Sequence, residues 1–291
     1  MLIGAHVSVA GGYWRGVEYA ASVGAECAQI FAKSPRQWRG PAVDPAAADR
    51  FASARSDADF GPVFTHAAYL LNLATHDDVL WERSIDALAD ELARASALQA
   101  EGCVTHVGSD RLQDSSRAAA RVADAVCRAF VRCADCEPAP RLLLENTAGG
   151  GSSFGSTFEQ LGEVIRLTGL EPRLLGVCLD TCHAHAFGLT VDSETGWKRL
   201  LESIEASVGF DRLGLIHAND CMFAAGERRD RHAWIGDGTI GYDGFRAMFS
   251  TAGEIPALKG LAAVTEMPGD PPHKDEENLK RLRRVREEAS A

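Results

Sequence analysis

Eight short apolar runs punctuate the chain, at residues 2–7, 27–32, 62–65, 102–105, 141–144, 174–179, 213–216 and 261–265. Most are nearly continuous in Val, Ile, Leu, Ala and Cys rather than alternating, the pattern of strands buried on both faces of a parallel sheet. Between them, apolar residues recur every three or four positions. Ile85, Leu88 and Leu92 do so, as do Val122, Val126 and Phe130, and Trp197, Leu200, Leu201, Ile204 and Val208, and each set predicts an amphipathic helix. Ser156 and Glu159 stand at capping-box spacing and predict a helix start there. Strand-then-helix units with no repeat, linker or low-complexity break predict an α/β fold, a single-domain (β/α)8 barrel over residues 1–291.

In such barrels the chemistry gathers where the strands end. His6, His66, His106, Glu145, Asp180, His217 and Glu266 all stand at the ends of apolar runs. Burying that many imidazoles and carboxylates together without a cation would cost several kcal/mol each. Taken singly, each has a plainer reading as a helix cap or a hydrogen-bonded structural residue; their coincidence at one barrel end carries the metal reading. His183 lies one helical turn beyond Asp180, and Asp230 and His232 have the i,i+2 spacing that points two side chains the same way in extended chain. Mixed His and carboxylate groups suit zinc, and a bridging carboxylate lets two ions sit close together. His6 and His185 are expected beside such a cluster without holding an ion; His76 and His273, in polar loop sequence, are expected in solvent.

Composition narrows the partners. The formal charge of −11 argues at first against nucleic acid. Three divalent cations would bring it to about −5, with the positive field concentrated at the cluster. No apolar run nears the roughly 18 residues that cross a bilayer, and no export signal opens the chain, so a cytoplasmic protein is expected. The eight cysteines are therefore expected as reduced thiols, and the lone C-x-x-C of Cys133 and Cys136 lacks the second pair of a structural zinc site. Gly149, Gly150 and Gly151 match no nucleotide-binding fingerprint and are read as a turn, without a nucleotide cofactor. Arg228 and Arg229 are read as solvated loop charges.

Several blocks stand in order along the chain: Gly4-Ala5-His6-Val7-Ser8, Arg36-Gln37-Trp38, His66-Ala67-Ala68-Tyr69-Leu70, Glu145-Asn146-Thr147-Ala148-Gly149, Leu179-Asp180-Thr181-Cys182-His183, His217-Ala218-Asn219-Asp220 and Asp230-Arg231-His232. Together they resemble the endonuclease IV family, the zinc-dependent apurinic/apyrimidinic (AP) endonucleases of base-excision repair. The resemblance implies a xylose-isomerase-like barrel with three zinc ions per chain, manganese being possible at one site. Carried over by position, His66, His106 and Glu145 would hold the first ion. Glu145 would bridge to the second, with Asp180, His217 and Glu266, and His183, Asp230 and His232 would hold the third. Arg36 and Tyr69, with Leu70 adjacent, would contact DNA. The family often shows Glu-Thr-Pro at the last ligand, where this chain has Glu266-Met267-Pro268.

The activity so implied is hydrolysis of the phosphodiester 5′ to an abasic site in duplex DNA by a metal-bound hydroxide. It would leave a 3′-hydroxyl and a 5′-deoxyribose phosphate, with trimming of blocked 3′ ends, and the enzyme is expected as a monomer. The alternative is a metal-dependent sugar isomerase or epimerase on the same barrel, which gives no reason for the Asp230 and His232 pair.

Overall fold

The structure, a computed structural model, describes residues 1–267 and 273–290. Its strands are β1 (Leu2–His6), β2 (Cys27–Phe31), β3 (Val63–His66), β4 (Gly102–His106), β5 (Leu142–Glu145), β6 (Leu175–Asp180), β7 (Leu213–His217), β8 (Asp220–Cys221), β9 (His232–Ala233) and β10 (Ala262–Thr265). Eight of them close into a parallel barrel in the order β1-β10-β7-β6-β5-β4-β3-β2. β8 and β9 form a separate antiparallel ribbon. Every apolar run is a barrel strand, and in β3 to β7 the strand extends through the polar residue that closes it.

The described helices are α1 (Tyr13–Ser22), α2 (Pro45–Asp57), α3 (Asp78–Ala97), α4 (Ser115–Arg132), α5 (Phe158–Thr168), α6 (Thr181–Phe187), α7 (Glu194–Ser207), α8 (Gly241–Gly253) and α9 (His273–Ala289). Each apolar stripe read from the sequence faces inward: Ile85, Leu88 and Leu92 in α3, Val122 and Val126 in α4, and Trp197, Leu200, Leu201 and Ile204 in α7 are buried. No described helix is long and apolar enough to cross a membrane. Inside the barrel, Phe64, Val104, Leu143, Leu215 and Val264 fill a compact apolar plug. The polar strand ends sit at the C-terminal rim of that barrel.

Three expectations need correction. The cap of α5 is Thr157, not Ser156: the Thr157 side chain accepts from Gln160 N, while Gln160 Oε1 accepts from Gly155 N and Ser156 N at 3.0 Å each. Both pairs have the right spacing, but the Ser156 hydroxyl is engaged with Thr147 Oγ1 at 3.1 Å. Cys133 and Cys136 are joined in a disulfide rather than being free thiols, because the turn after α4, with Cys136 N donating to Cys133 O at 3.0 Å, brings them together. The other six cysteines are free. His273 opens α9 instead of lying in a loop; its side chain, like Pro268, lies outside the described residues.

Candidate metal centre

Strand register sets the site. Parallel neighbours lie about 4.8 Å apart, and His106 is paired with Glu145, Asp180 with His217, and His6 with Gln29. Glu145, the last residue of β5 and fully buried, stands in the middle. Its Oε2 is 3.2 Å from His66 Nε2 and 3.4 Å from His106 Nδ1; its Oε1 is 3.1 Å from His217 Nδ1 and 3.3 Å from His183 Nδ1. The two oxygens thus face two different sets of imidazoles, the arrangement of a bridging carboxylate.

Three groups of ligand-type atoms follow, in each of which all atoms lie within 4.8 Å of one another. They are His66, His106 and Glu145; then Glu145, Asp180, His217 and Glu266; then His183, Asp230 and His232. A fourth, unanticipated set joins Cys182 to Asp180 and His232. Asp180 is fixed twice over. It caps α6 by accepting from His183 N at 2.7 Å, and its own N–H donates to Asn146 Oδ1 at 2.7 Å. The ribbon brings Asp230 and His232 over the barrel mouth, where Asp230 lies 3.3 Å from both His183 Nε2 and His232 Nε2.

The hydrogen bonds at the far side of each ring test whether cations fit. His66 Nδ1 faces Ala67 O at 2.8 Å, His183 Nδ1 faces Asn146 O at 2.9 Å, His232 Nδ1 faces Glu266 O at 2.8 Å, and His217 Nε2 faces Gln29 Oε1 at 2.8 Å. A carbonyl only accepts, so each of these nitrogens carries the proton. In a neutral ring the other nitrogen then aims its lone pair at carboxylate oxygens, which is repulsive unless a proton or a cation lies between them. His232 Nε2, buried and without a hydrogen-bond partner, is the plainest case. The donor set therefore fits divalent cations.

Protons take the cations' place in the bare protein. Burial lowers the His66 pKa, but the hydrogen bond to Glu145 and the charges of Glu145 and Glu266 together outweigh it and the value is pushed up to about 9. His232 follows suit: burial opposes, but Asp230, Asp180 and Glu266 together prevail, and the value is again about 9. Glu145 is held well below the carboxylate range, burial being overcome by the surrounding imidazoles. Clusters of such mutually perturbed groups in a cleft mark functional sites.

Gln29 and Asn219 are parts of the site that sequence reasoning missed. Gln29 accepts from His217 and donates to Glu266 Oε1 at 2.6 Å, and Asn219 donates to Asp180 Oδ2 at 2.7 Å while its Oδ1 accepts from Glu266 N at 2.7 Å. A fully buried amide inside the apolar run 27–32 was the available signal. Partners of this kind hold a ligating imidazole in one tautomer, and their loss typically costs about 10- to 100-fold in metal affinity. Gln29→Leu is expected to weaken metal retention by that factor with little change in secondary structure, measured by competition with a chromophoric chelator; an unchanged affinity would refute the role.

His6 supports rather than joins the groups: its Nδ1 lies 3.2 Å from Glu266 Oε1 and 2.9 Å from Gln29 Nε2. His185 turns elsewhere, its Nε2 2.9 Å from Thr239 Oγ1. His76 is exposed, as expected. Tyr69, 63% exposed, packs edge-on against Phe31 at the rim, and Arg36 is exposed while Leu70 is half-buried. Gly149 and Gly151 adopt left-handed φ values of 71° and 59°, which is the turn expected. Arg228 and Arg229 are exposed and lie over the rings of Phe187 and Phe223.

A closed parallel barrel with acid and imidazole groups on its C-terminal rim defines a class, and the family model described as a xylose isomerase-like TIM barrel matches residues 17–286. Within that class, endonuclease 4 of Thermus thermophilus is 38% identical over 288 residues, covering 98% of each chain. The crystal structure of a Thermus thermophilus endonuclease IV superposes with a TM-score of 0.85 at 36% identity, covering 99% of this chain and 100% of that one. A D-tagatose 3-epimerase-like protein aligns with a TM-score of 0.73 over 100% of both chains at 19% identity, which shows the shared fold alone. The chain belongs to the endonuclease IV family of enzymes.

Proposed function

We propose that this protein is a deoxyribonuclease IV that hydrolyses the phosphodiester 5′ to an abasic site in duplex DNA, leaving a 3′-hydroxyl and a 5′-deoxyribose phosphate, and that also trims blocked 3′ ends. The observation that carries the reading is Glu145 standing between two sets of imidazoles, with a third group at the barrel mouth. In this proposal three ions, zinc with manganese possible at one site, are held by the groups His66/His106/Glu145, Glu145/Asp180/His217/Glu266 and His183/Asp230/His232. When bound, such ions supply Lewis-acid charge and a water whose pKa falls to near 7.

The chain's own residues do the rest. Glu145 spans two groups and sets their separation. Asp230, 53% exposed, makes the third group the most open of the three and so the one best placed to meet a phosphate from solvent. Arg36, Tyr69 and Leu70 at the rim are proposed to fill the gap left by the turned-out sugar. An abasic sugar offers no base edge, so selection rests on shape, and such a nucleotide costs least to turn out. The protein is taken to act as a monomer in the cytoplasm, without a nucleotide cofactor.

A sugar epimerase shares the barrel, but needs only one or two ions on a carbonyl or hydroxyl pair. The third group, His183, Asp230 and His232, favours the nuclease. Metal content per chain, followed by mapping the nick in a duplex with one abasic site, tests the proposal. A cut 3′ to the lesion, or no cut by fully loaded protein, would overturn it.

A further inference from the structure

Helix α3 underlies both loops that carry the proposed DNA-contacting residues. Lys33, three residues before Arg36, buries its side chain and pairs with Glu91 and, at 3.4 Å, with Asp90. The same Glu91 oxygen accepts from Ala68 N at 3.0 Å, one residue before Tyr69. Arg94, also buried, forks onto Asp90 at 2.9 and 3.1 Å and donates to Gly40 O at 2.9 Å, gripping the far end of the first loop. Between the loops, Tyr69 N donates to Pro35 O at 3.2 Å.

Two buried cations against two carboxylates make a neutral node, but stability alone does not account for it. Apolar residues of similar volume serve a core as well or better, and Glu91 Oε2 is buried without any hydrogen-bond partner. What an ionic node supplies and apolar packing does not is direction. One carboxylate oxygen fixes the spacing between a residue of the first loop and a backbone N–H of the second. None of these side chains belongs to the grouped metal-type atoms.

We propose that Lys33 and Glu91, with Asp90 and Arg94, are positioning residues that lock the Arg36 and Tyr69 loops at one separation before DNA arrives, and so set affinity for the distorted duplex. The inference rests on the proposed function. Preorganised rims bind better because ordering is done beforehand, and a misplacement of about 1 Å can cost up to about 100-fold.

The test uses the full-length, metal-loaded protein carrying Lys33→Met and Glu91→Met together, which removes both charges and the acceptor for Ala68 N. Metal content and hydrolysis of bis(p-nitrophenyl) phosphate, a diester too small to need the rim, are expected to stay near wild type, and the thermal midpoint to fall modestly because the buried Ala68 N–H loses its acceptor. KM for the abasic duplex is expected to rise about 10-fold with kcat within about twofold. Glu91→Gln keeps an acceptor for Ala68 N and is expected to give a smaller rise, of about threefold; it carries the test alone if the double variant folds poorly. An unchanged KM in a folded variant, or parallel loss of small-diester hydrolysis, would overturn the positioning role. Wild-type protein that hydrolyses the small diester but leaves the abasic duplex whole would instead overturn the functional reading beneath it.

Discussion

Glu145→Gln is expected to lower incision of an abasic duplex by about 1000-fold or more and to reduce the metal bound per chain, while the barrel persists. Glutamine matches the shape of glutamate but replaces one oxygen with an NH2 group that cannot ligate a cation. In the wild type Oε2 serves His66 and His106 while Oε1 serves His217 and His183. The amide is neutral and can serve only one side, so both groups joined at Glu145 lose an anionic ligand and one of them loses its oxygen altogether. The fold should survive because the apolar plug of Phe64, Val104, Leu143 and Leu215 packs independently of the rim. Metal analysis, circular dichroism and nicking rate on one preparation check all three parts. A folded variant with full metal content and near-native rate would remove Glu145 from its bridging role.

The sequence revealed the barrel because its strands are buried on both faces and so appear as unbroken apolar runs. Metal-type residues were legible for the complementary reason: each interrupts or ends such a run with a group that burial alone would penalise. His106 and Glu145, or Asp180 and His217, could be read as strand ends, but only the register places them side by side. Gln29 escaped because it sits inside a run whose other members are apolar, and its direction into the barrel mouth depends on pairing with His6.

Glu91 shows the same limit in a helix. It shares the buried face of α3 with Leu88 and Leu92, so helical spacing flags a charge on an apolar face. Its partners Lys33 and Ala68 N, however, come from two loops distant in sequence. Cap choice at α5 and the Cys133–Cys136 disulfide were likewise decided by local geometry that the letters permit but do not dictate.

Chelated and zinc-loaded protein are expected to respond to pH with opposite sign. Without ions, burial opposes protonation of His66 and His232, yet the surrounding carboxylates together push both up to about 9, and His183 and His217 are raised as well. In an unfolded chain these rings titrate near about 6.5. The bare folded form therefore holds more protons between these values. The stabilisation from these four rings is complete below about 6.5 and is lost as pH rises through about 9, whereas His6 and His106, which burial lowers, His106 to about 4, act against the folded form only as pH falls below about 6.5. With ions in place the same nitrogens must be unprotonated, so protons compete with metal and stability falls as pH drops below about 6.5. Glu145, Asp230 and Glu266, held below the carboxylate range, lose their contribution only in stronger acid and do not blur this window. With excess chelator the thermal midpoint should descend from about pH 6.5 to about pH 9, whereas with zinc it should ascend from about pH 5 to a plateau above about pH 6.5. Because loading exchanges protons for cations, adding zinc to chelated protein near neutral pH should also acidify a weakly buffered solution. Parallel midpoint profiles with no proton release would mean that these imidazoles do not face cations at all.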